Sequence, residues 1–370
     1  MNELKITLFL FTLYLVVVSG INNPACSQEP KTRQPADTVG FAHLDWQMDS
    51  IMARIMRLGF DEQDGIDEGV CLLSSQLIRS VICPHDDYTY VGKMYPVVLS
   101  CIRAKTIILF GVAHKAKQFG LENILVFDSY DSWQGPYGTV NVSPMREEIM
   151  KYLPPDLYQV NDSMQAVEHS LEALIPFLQY FNNKVEIVPI LVPYMSFERI
   201  EMISQVLAKS IDNVNKRLGW KYAGDIGIVI SSDAVHYGDE DWGGSNHAFY
   251  GTDSSGYRKA VAHEWEIIRS ISGELKPESV RTFMNYTLQD DDYKTYKWTW
   301  CGRYSIPMGL MTSYYLGLAQ EPEHGSLVGV PVGYQTSIDH APLKVDDLRM
   351  GVTAPATMRH WVGYAGIVYK

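Results

Sequence analysis

Short apolar runs rich in β-branched residues recur along the chain and alternate with longer stretches of helical periodicity. Four of these runs are long enough for buried strands, and they cover residues 77–83, 106–110, 185–192 and 226–230. Strands of a parallel sheet are buried on both faces, so they carry continuous apolar runs rather than alternating ones. The pattern predicts an α/β fold, in which a central, mostly parallel or mixed β-sheet is flanked by helices.

Apolar residues at three- and four-residue spacing predict the helices of this fold. The expected helices cover residues 46–58, 143–152, 170–181, 197–217, 256–272 and 306–317. Ser143 and Pro144 suit the N-cap and first position of the second helix. Residues 321–333, rich in Pro and Gly, predict a loop or hairpin, and residues 360–369 an edge or closing strand. No break in composition divides this region, so we predict a single domain over residues 39–370.

The first 25 residues carry a different pattern from that of the folded domain. Residues 6–18 are almost wholly apolar, which is too short for a comfortable membrane span but typical of a secretory signal. A small residue and a cysteine follow at Ala25-Cys26, which favours a lipoprotein signal. We therefore predict a signal segment over residues 1–25 and a linker over residues 26–38. The expected location is the periplasm of a bacterial envelope, or its membrane through a lipid anchor at Cys26.

The bulk composition excludes some partners. The 370 residues are 46% hydrophobic and 20% charged, as in a folded protein, and the net charge is -12 with no basic stripe. Nucleic acid and anionic lipid surfaces are therefore unsuitable partners on electrostatic grounds. Oligomeric state cannot be inferred. Four cysteines remain after the predicted signal, but their irregular spacing favours neither a disulfide framework nor a zinc knuckle; they are Cys71, Cys83, Cys101 and Cys301.

Three of the predicted strands are followed by histidine, at His85, His114 and His236. The carboxyl ends of parallel strands lie at one edge of a sheet, where α/β proteins bind their ligands. A single histidine after a strand is more often a surface or core residue. Three at equivalent positions favour a metal site, since imidazole binds iron, copper and zinc. The spacing does not choose among these metals.

Two further segments add candidate side chains. Glu168-His169 precedes the helix predicted at residues 170–181; a helix N-terminus explains the acidic residues there, but not the histidine. Cys301 is followed by glycine and Arg303. A buried cysteine is usually a small hydrophobic residue, and this interpretation and a ligand role both stay open.

Together these segments resemble the Memo family, also called AmmeMemoRadiSam system protein B. Family motifs recur here in order as Pro-His-Asp-Asp-Tyr, Gly-Val-Ala-His, Glu-His-Ser-Leu-Glu, Pro-Ile-Leu-Val, Ser-Ser-Asp-Ala-Val-His and Cys-Gly-Arg. They occupy residues 84–88, 111–114, 168–172, 189–192, 231–236 and 301–303. Six motifs spread over this length are far more specific than any one of them.

The resemblance implies a fold similar to that of class III extradiol dioxygenases. It implies a mononuclear metal bound by His85, His114 and Cys301, with iron or copper as the metal and zinc as an alternative. It also implies that His236 acts as an acid or base beside a small-molecule substrate. His169 and Asp233 would line the same pocket or orient the imidazoles.

The sequence departs from the family pattern at Asp86-Asp87, which replace Ala-Gly after His85. Three functions stay open: a metal-dependent redox enzyme resembling a dioxygenase, a non-catalytic metal-binding or scaffold protein, and, with less support, a metal-dependent hydrolase. No HExxH, GxSxG or P-loop motif supports a standard hydrolase or nucleotide enzyme. Four aromatic residues outside the motifs are further candidates for lining the pocket: Trp133, Tyr137, Trp242 and Tyr304.

Overall fold

The structure is a computed structural model that describes residues 29–59, 66–67, 78–321 and 326–370. Lys31–Lys370 form one compact unit. The predicted signal segment, Cys26 and Cys71 lie outside the described residues. Within the described ranges, no helix is both long enough and apolar enough to cross a membrane. Cys101 is disulfide-bonded, a bridge that the cysteine spacing did not predict, whereas Cys83 and Cys301 are free, buried thiols.

The described residues form strands and helices in alternation. The strands are β1 (Thr32–Arg33), β2 (Ser80–Cys83), β3 (Thr106–Val112), β4 (Leu125–Phe127), β5 (Ser132–Gly135), β6 (Gly138–Val142), β7 (Tyr158–Val160), β8 (Glu186–Val192), β9 (Ile226–Ser231), β10 (His236–Gly238), β11 (Gly273–Glu274), β12 (Val328–Thr336) and β13 (His360–Tyr369). The α-helices are α1 (Asp45–Leu58), α2 (Tyr88–Val91), α3 (Met94–Leu99), α4 (Met145–Tyr152), α5 (Asp162–Ala166), α6 (Ile175–Phe181), α7 (Phe197–Leu218), α8 (Ser254–Ser270), α9 (Pro277–Thr287) and α10 (Ser305–Gln320).

The strands form one mixed sheet in the order β1-β5-β6-β8-β3-β9-β2-β13-β12-β11. Its centre, β8-β3-β9-β2, is parallel, and β13, β12 and β11 extend it in antiparallel pairing. The four central strands are those that the apolar runs predict. The predicted α/β fold with a mixed central sheet is confirmed.

Helices cover both faces of the sheet, because successive side chains of a strand point to opposite sides. In β3, Ile108 and Phe110 belong to one hydrophobic core, and Ile107 and Leu109 belong to another. On the first face α10 packs on α7, β3 and β9, and on the second α3 packs on α6, β2 and β13. The central strands are thus buried on both sides, and their free carboxyl ends are left to form a site.

Several boundaries differ from the sequence-based expectation. Residues 170–174 form turns, and helix α6 begins at Ile175 with Pro176 in its first turn, a position that suits proline. Residues 328–333, expected as loop or hairpin, belong to strand β12. The predicted edge strand β13 lies between β2 and β12; every one of its residues is buried, so its apolar content reflects neighbours on all sides.

The segment predicted as a linker contains one half of a buried ion pair. From Lys31 onwards it is part of the compact unit. Arg33 pairs with Glu172, and the side chains of this pair are only 2% and 7% exposed. A buried ion pair fixes the chain locally, because either charge alone would be costly to bury. Arg33 is therefore packed against the domain.

Candidate metal site

The carboxyl edge of the parallel sheet carries the candidate ligands at equivalent positions. Strands β2, β3 and β9 end at Cys83, Val112 and Ser231. His85, His114 and Asp233 each follow two residues later. The three side chains are brought to one place because the three strands are neighbours in the order β3-β9-β2. All three side chains line one cavity at this edge.

The hydrogen bonds of His85 fix which ring nitrogen is free. The Ser231 hydroxyl lies 2.8 Å from His85 Nδ1, and it donates its own proton to the Ser170 carbonyl at 2.5 Å. Ser231 must therefore accept from Nδ1–H, which leaves the lone pair on Nε2. Burial lowers the pKa of His85 well below its ordinary value, so the ring is neutral and ready to bind a cation.

His114 is oriented by a buried carboxylate. Its Nδ1 and its backbone N–H both donate to Glu168, each at 2.8 Å. Glu168 also accepts from the backbone N–H groups of His169 and Ser170. The pKa of Glu168 is held well below its usual range; burial, the largest single influence, would raise it, but His114, His169 and the Ser170 N–H together outweigh burial. A histidine bonded to a carboxylate in this way presents Nε2 to a metal.

Cys301 reaches the site because glycine follows it. A Cβ added at Gly302 would overlap Ser232, and the Gly302 N–H donates to Ser232 Oγ at 3.1 Å. Only a residue without a side chain allows this approach. Cys301 Sγ accepts from the Asp233 N–H at 3.1 Å and lies 3.6 Å from His85 Nε2.

Two overlapping sets of side chains could hold a metal ion, and His85 belongs to both. One set is His85, His114 and His169, and the other is His85, Asp233 and Cys301; within each set the ligand atoms lie within 4.8 Å of one another. The trio predicted from the resemblance takes His114 from the first set and Cys301 from the second, and it shares His85 with both. His169 and Asp233, expected only to line the pocket or orient the imidazoles, are themselves placed as candidate ligands.

The donor atoms fit a mononuclear metal. Bonds of about 2.0–2.1 Å to nitrogen and 2.3 Å to sulfur, at a tetrahedral angle, put the two donors about 3.6 Å apart, which is the His85 Nε2 to Cys301 Sγ distance. Sulfur and imidazole together suit copper, iron or zinc better than magnesium or calcium. The geometry fits a metal of this group without selecting one.

The charges around the site also favour a cation. Burial, followed by the nearby Asp86, raises the pKa of Asp87 to about 7, and the same two causes raise that of Asp233 well above its ordinary value. Burial raises the pKa of the Cys301 thiol as well. A bound metal would favour the ionised forms and so stabilise the carboxylates and thiolate.

A cavity of about 640 Å³ opens beside the ligands, and His236 lines it. His236 Nε2 is buried and has no hydrogen-bond partner. Burial, then the charge of His114, lowers the pKa of this ring to about 3, so it is a neutral base at neutral pH. Of the four aromatic candidates, Trp242 lines the cavity.

The other three aromatic candidates are not among the described residues that line this cavity. Trp133 is a core residue that donates from Nε1 to Asp128 at 2.7 Å. The Tyr137 hydroxyl bonds to Asp49. Tyr304 packs against the Arg303 guanidinium. Their aromatic character serves packing and hydrogen bonding, which the sequence alone does not distinguish from ligand stacking.

Some cavity residues carried no signal in the sequence. The cavity is also lined by residues 36–39, Phe41, Thr353 and Ala354, and these segments contain no motif. Ser231, by contrast, lies within the recognised Ser-Ser-Asp motif, but its role as the partner of His85 depends on the fold. Hydrogen-bond partners of this kind become visible only when distant segments are brought together.

Comparison with known proteins shows the family of this chain. Residues 64–341 match the family described as Memo-like protein. A MEMO1 family protein from Aquifex aeolicus is 32% identical over 164 residues, which are 43% of this chain and 54% of that protein. One from Methanothermobacter thermautotrophicus is 24% identical over 214 residues, which are 56% and 71% of the two chains. The alignments with the most similar of these relatives span about half of the relatives' length. Because the match covers most of its length and includes the strands that carry the site, this chain belongs to the Memo-like protein family.

Proposed function

We propose that this protein holds one iron or copper ion with His85, His114 and Cys301 and uses it for oxygen-dependent redox chemistry on a small molecule. One observation supports the proposal most strongly. Two imidazoles whose Nδ1 atoms are held by hydrogen bonds, which leaves Nε2 for a metal, and one thiol lie beside a cavity of about 640 Å³. Asp233 and His169 are close enough to complete the coordination.

The residues around the proposed metal have different roles. An iron or copper ion bound here would supply one-electron chemistry and a binding position for oxygen. Glu168 and Ser231 hold the two imidazoles in the tautomer that leaves Nε2 free. His236, with a free and buried Nε2, takes a proton from a substrate hydroxyl in the cavity and later returns it.

Elemental analysis of protein purified without chelator or affinity metal tests the metal site. We expect about one equivalent of iron or copper in the wild type, as for a mononuclear site, and a large loss in Cys301→Ala. Wild-type protein without iron, copper or zinc, and unable to take up any of them, would contradict the proposal.

Oxygen consumption tests the chemistry. Protein loaded anaerobically with Fe(II) is mixed with catechols and phenols, and air is then admitted. We expect uptake that His236→Ala abolishes while metal content is retained. His247→Ala is the matched control, because His247 is not among the described residues that line the cavity. Metal binding without oxygen uptake across the panel would favour a non-catalytic metal-binding protein.

We also propose that the protein is exported. The apolar run at residues 6–18 supports this, and so does the disulfide at Cys101, because disulfides persist mainly in oxidising compartments. Mass spectrometry of the native protein tests the proposal: we expect an N-terminus near Cys26, with or without acyl chains. A native chain beginning at Met1 would refute processing.

A further inference from the structure

Two segments on either side of the family-matching region close part of the metal cavity. Residues 36–39 and Phe41 come from the N-terminal side, and Thr353 and Ala354 come from the C-terminal side. The family match covers residues 64–341, so neither segment belongs to it. We refer to residues 36–41 and 353–354 together as the roof.

The N-terminal half of the roof is fixed to the turn that orients His114. Arg33 donates to the Glu172 carboxylate at 2.6 Å and to the Glu168 carbonyl. Glu172 in turn accepts from the backbone N–H groups of Ala36 at 2.8 Å and Asp37 at 2.5 Å. Glu172 is buried, so these bonds are shielded from water and hold the segment in place.

The two halves of the roof meet at Asp87. Its carboxylate accepts from the Thr353 backbone N–H at 2.6 Å and from the Thr353 hydroxyl at 3.1 Å. On its other side Asp87 touches Gly40 so closely that an added Cβ would overlap it. Next to the roof, the Gly351 N–H donates to the carbonyl of Val39 at 3.0 Å. Asp87 is only 1% exposed.

We propose that Asp87 determines ligand size at the metal cavity by fastening the roof, so that small molecules enter and groups presented by a macromolecule are excluded. The inference rests on the proposed metal site. The cavity of about 640 Å³ lies within the range of about 300–1,000 Å³ that is usual for small-molecule sites. Asp87 stands where the family pattern has glycine, which has no side chain to make these bonds.

The test compares two ligands of Co(II)-loaded protein, followed by the visible absorption of the metal. The small ligand is imidazole, and the bulky ligand is imidazole joined by a short linker to β-cyclodextrin, a rigid ring too large for the cavity. We expect wild type to bind imidazole and to exclude the conjugate. Asp87→Gly should bind the conjugate about tenfold better or more, the effect of losing a hydrogen bond to a charged group.

Asp86→Asn is the matched control. Asp86 also lines the cavity, but its carboxylate accepts from the Tyr364 hydroxyl at 2.8 Å rather than from the roof. This variant should discriminate between the ligands as wild type does. Equal binding of both ligands by wild type, or unchanged discrimination in Asp87→Gly, would overturn the inference.

Hydrogen exchange of the peptide covering residues 36–41 keeps the inference testable without metal. We expect faster exchange in Asp87→Gly than in wild type or Asp86→Asn, because the roof loses its hydrogen bonds to the Asp87 carboxylate. Unchanged exchange would refute the role of Asp87 even if metal binds. Failure to bind Co(II), iron or copper, with the exchange result as expected, would instead contradict the proposed function alone.

Discussion

Glu168→Gln is the most direct test of how a buried carboxylate orients His114 at the metal site. The carboxylate accepts four N–H groups, from His114 Nδ1 and from the backbone of His114, His169 and Ser170. Oε1 accepts three of them and Oε2 accepts the His114 N–H. Glutamine keeps the shape but offers one acceptor oxygen and one donor group. In its best orientation it turns its amide N–H₂ towards the His114 N–H, and this partly buried N–H loses its partner.

Two magnitudes follow from this geometry. A buried donor without a partner costs about 1–3 kcal/mol. The His114 N–H is only partly buried, so the free energy of unfolding should fall by up to about that amount. Replacing the carboxylate also weakens the bond that makes His114 a better ligand, and changes of this kind cost about 10–100-fold in metal affinity. The second effect corresponds to about 1.4–2.7 kcal/mol of binding free energy.

The assay measures both quantities on the same variant. Urea unfolding of the metal-free protein gives the stability, and competition with a chelator gives the affinity for Cu(II) or Fe(II). Asp128→Asn is the control: Asp128 is a fully buried carboxylate that bonds Trp133 and Arg146, away from the site. It should destabilise the fold and leave metal affinity unchanged. If Glu168→Gln kept wild-type affinity within about twofold, the proposed role of Glu168 would be wrong.

Further predictions concern the thiol, the glycine beside it and a buried acid. Cys301→Ser should weaken Cu(II) binding and remove any sulfur-to-copper absorption band; an unchanged spectrum would exclude Cys301 as a ligand. Gly302→Ala should lower the unfolding free energy by about 1–3 kcal/mol through overpacking against Ser232, measured by urea unfolding, whereas Gly224→Ala, with no atom closer than 3.8 Å, should cost less. Burial raises the pKa of Glu264 from 4.5 to about 7. The folded protein therefore keeps a proton that the unfolded chain releases, and stability should fall as pH rises between these values by up to about 3 kcal/mol. In Glu264→Gln, unfolding midpoints across this range should be flatter, and a wild-type midpoint that rises would contradict the assignment.

The amino-acid pattern alone determined the framework. Continuous apolar runs mark β2, β3, β8 and β9, because a strand covered on both faces carries mostly apolar side chains. The same reasoning put the residues after these strands at one edge, and there His85, His114 and Asp233 line one cavity. The six motifs identified the family, since their order along the chain is read without knowing any contact.

Tertiary structure decided the hydrogen bonds and the sets of candidate ligands, because these join segments that are distant in sequence. The sequence showed Cys301 beside a glycine. Only the fold shows that Gly302 lies against Ser232, where a side chain would not fit. The fold also moves Asp233 and His169 into ligand range. Residues 31–38 resemble a linker in composition, yet the chain packs them through Arg33 and a carboxylate 139 positions away. Local composition records the propensities of neighbouring residues, whereas hydrogen bonds and ligand sets join residues far apart in sequence, and these are fixed only when the whole chain has folded.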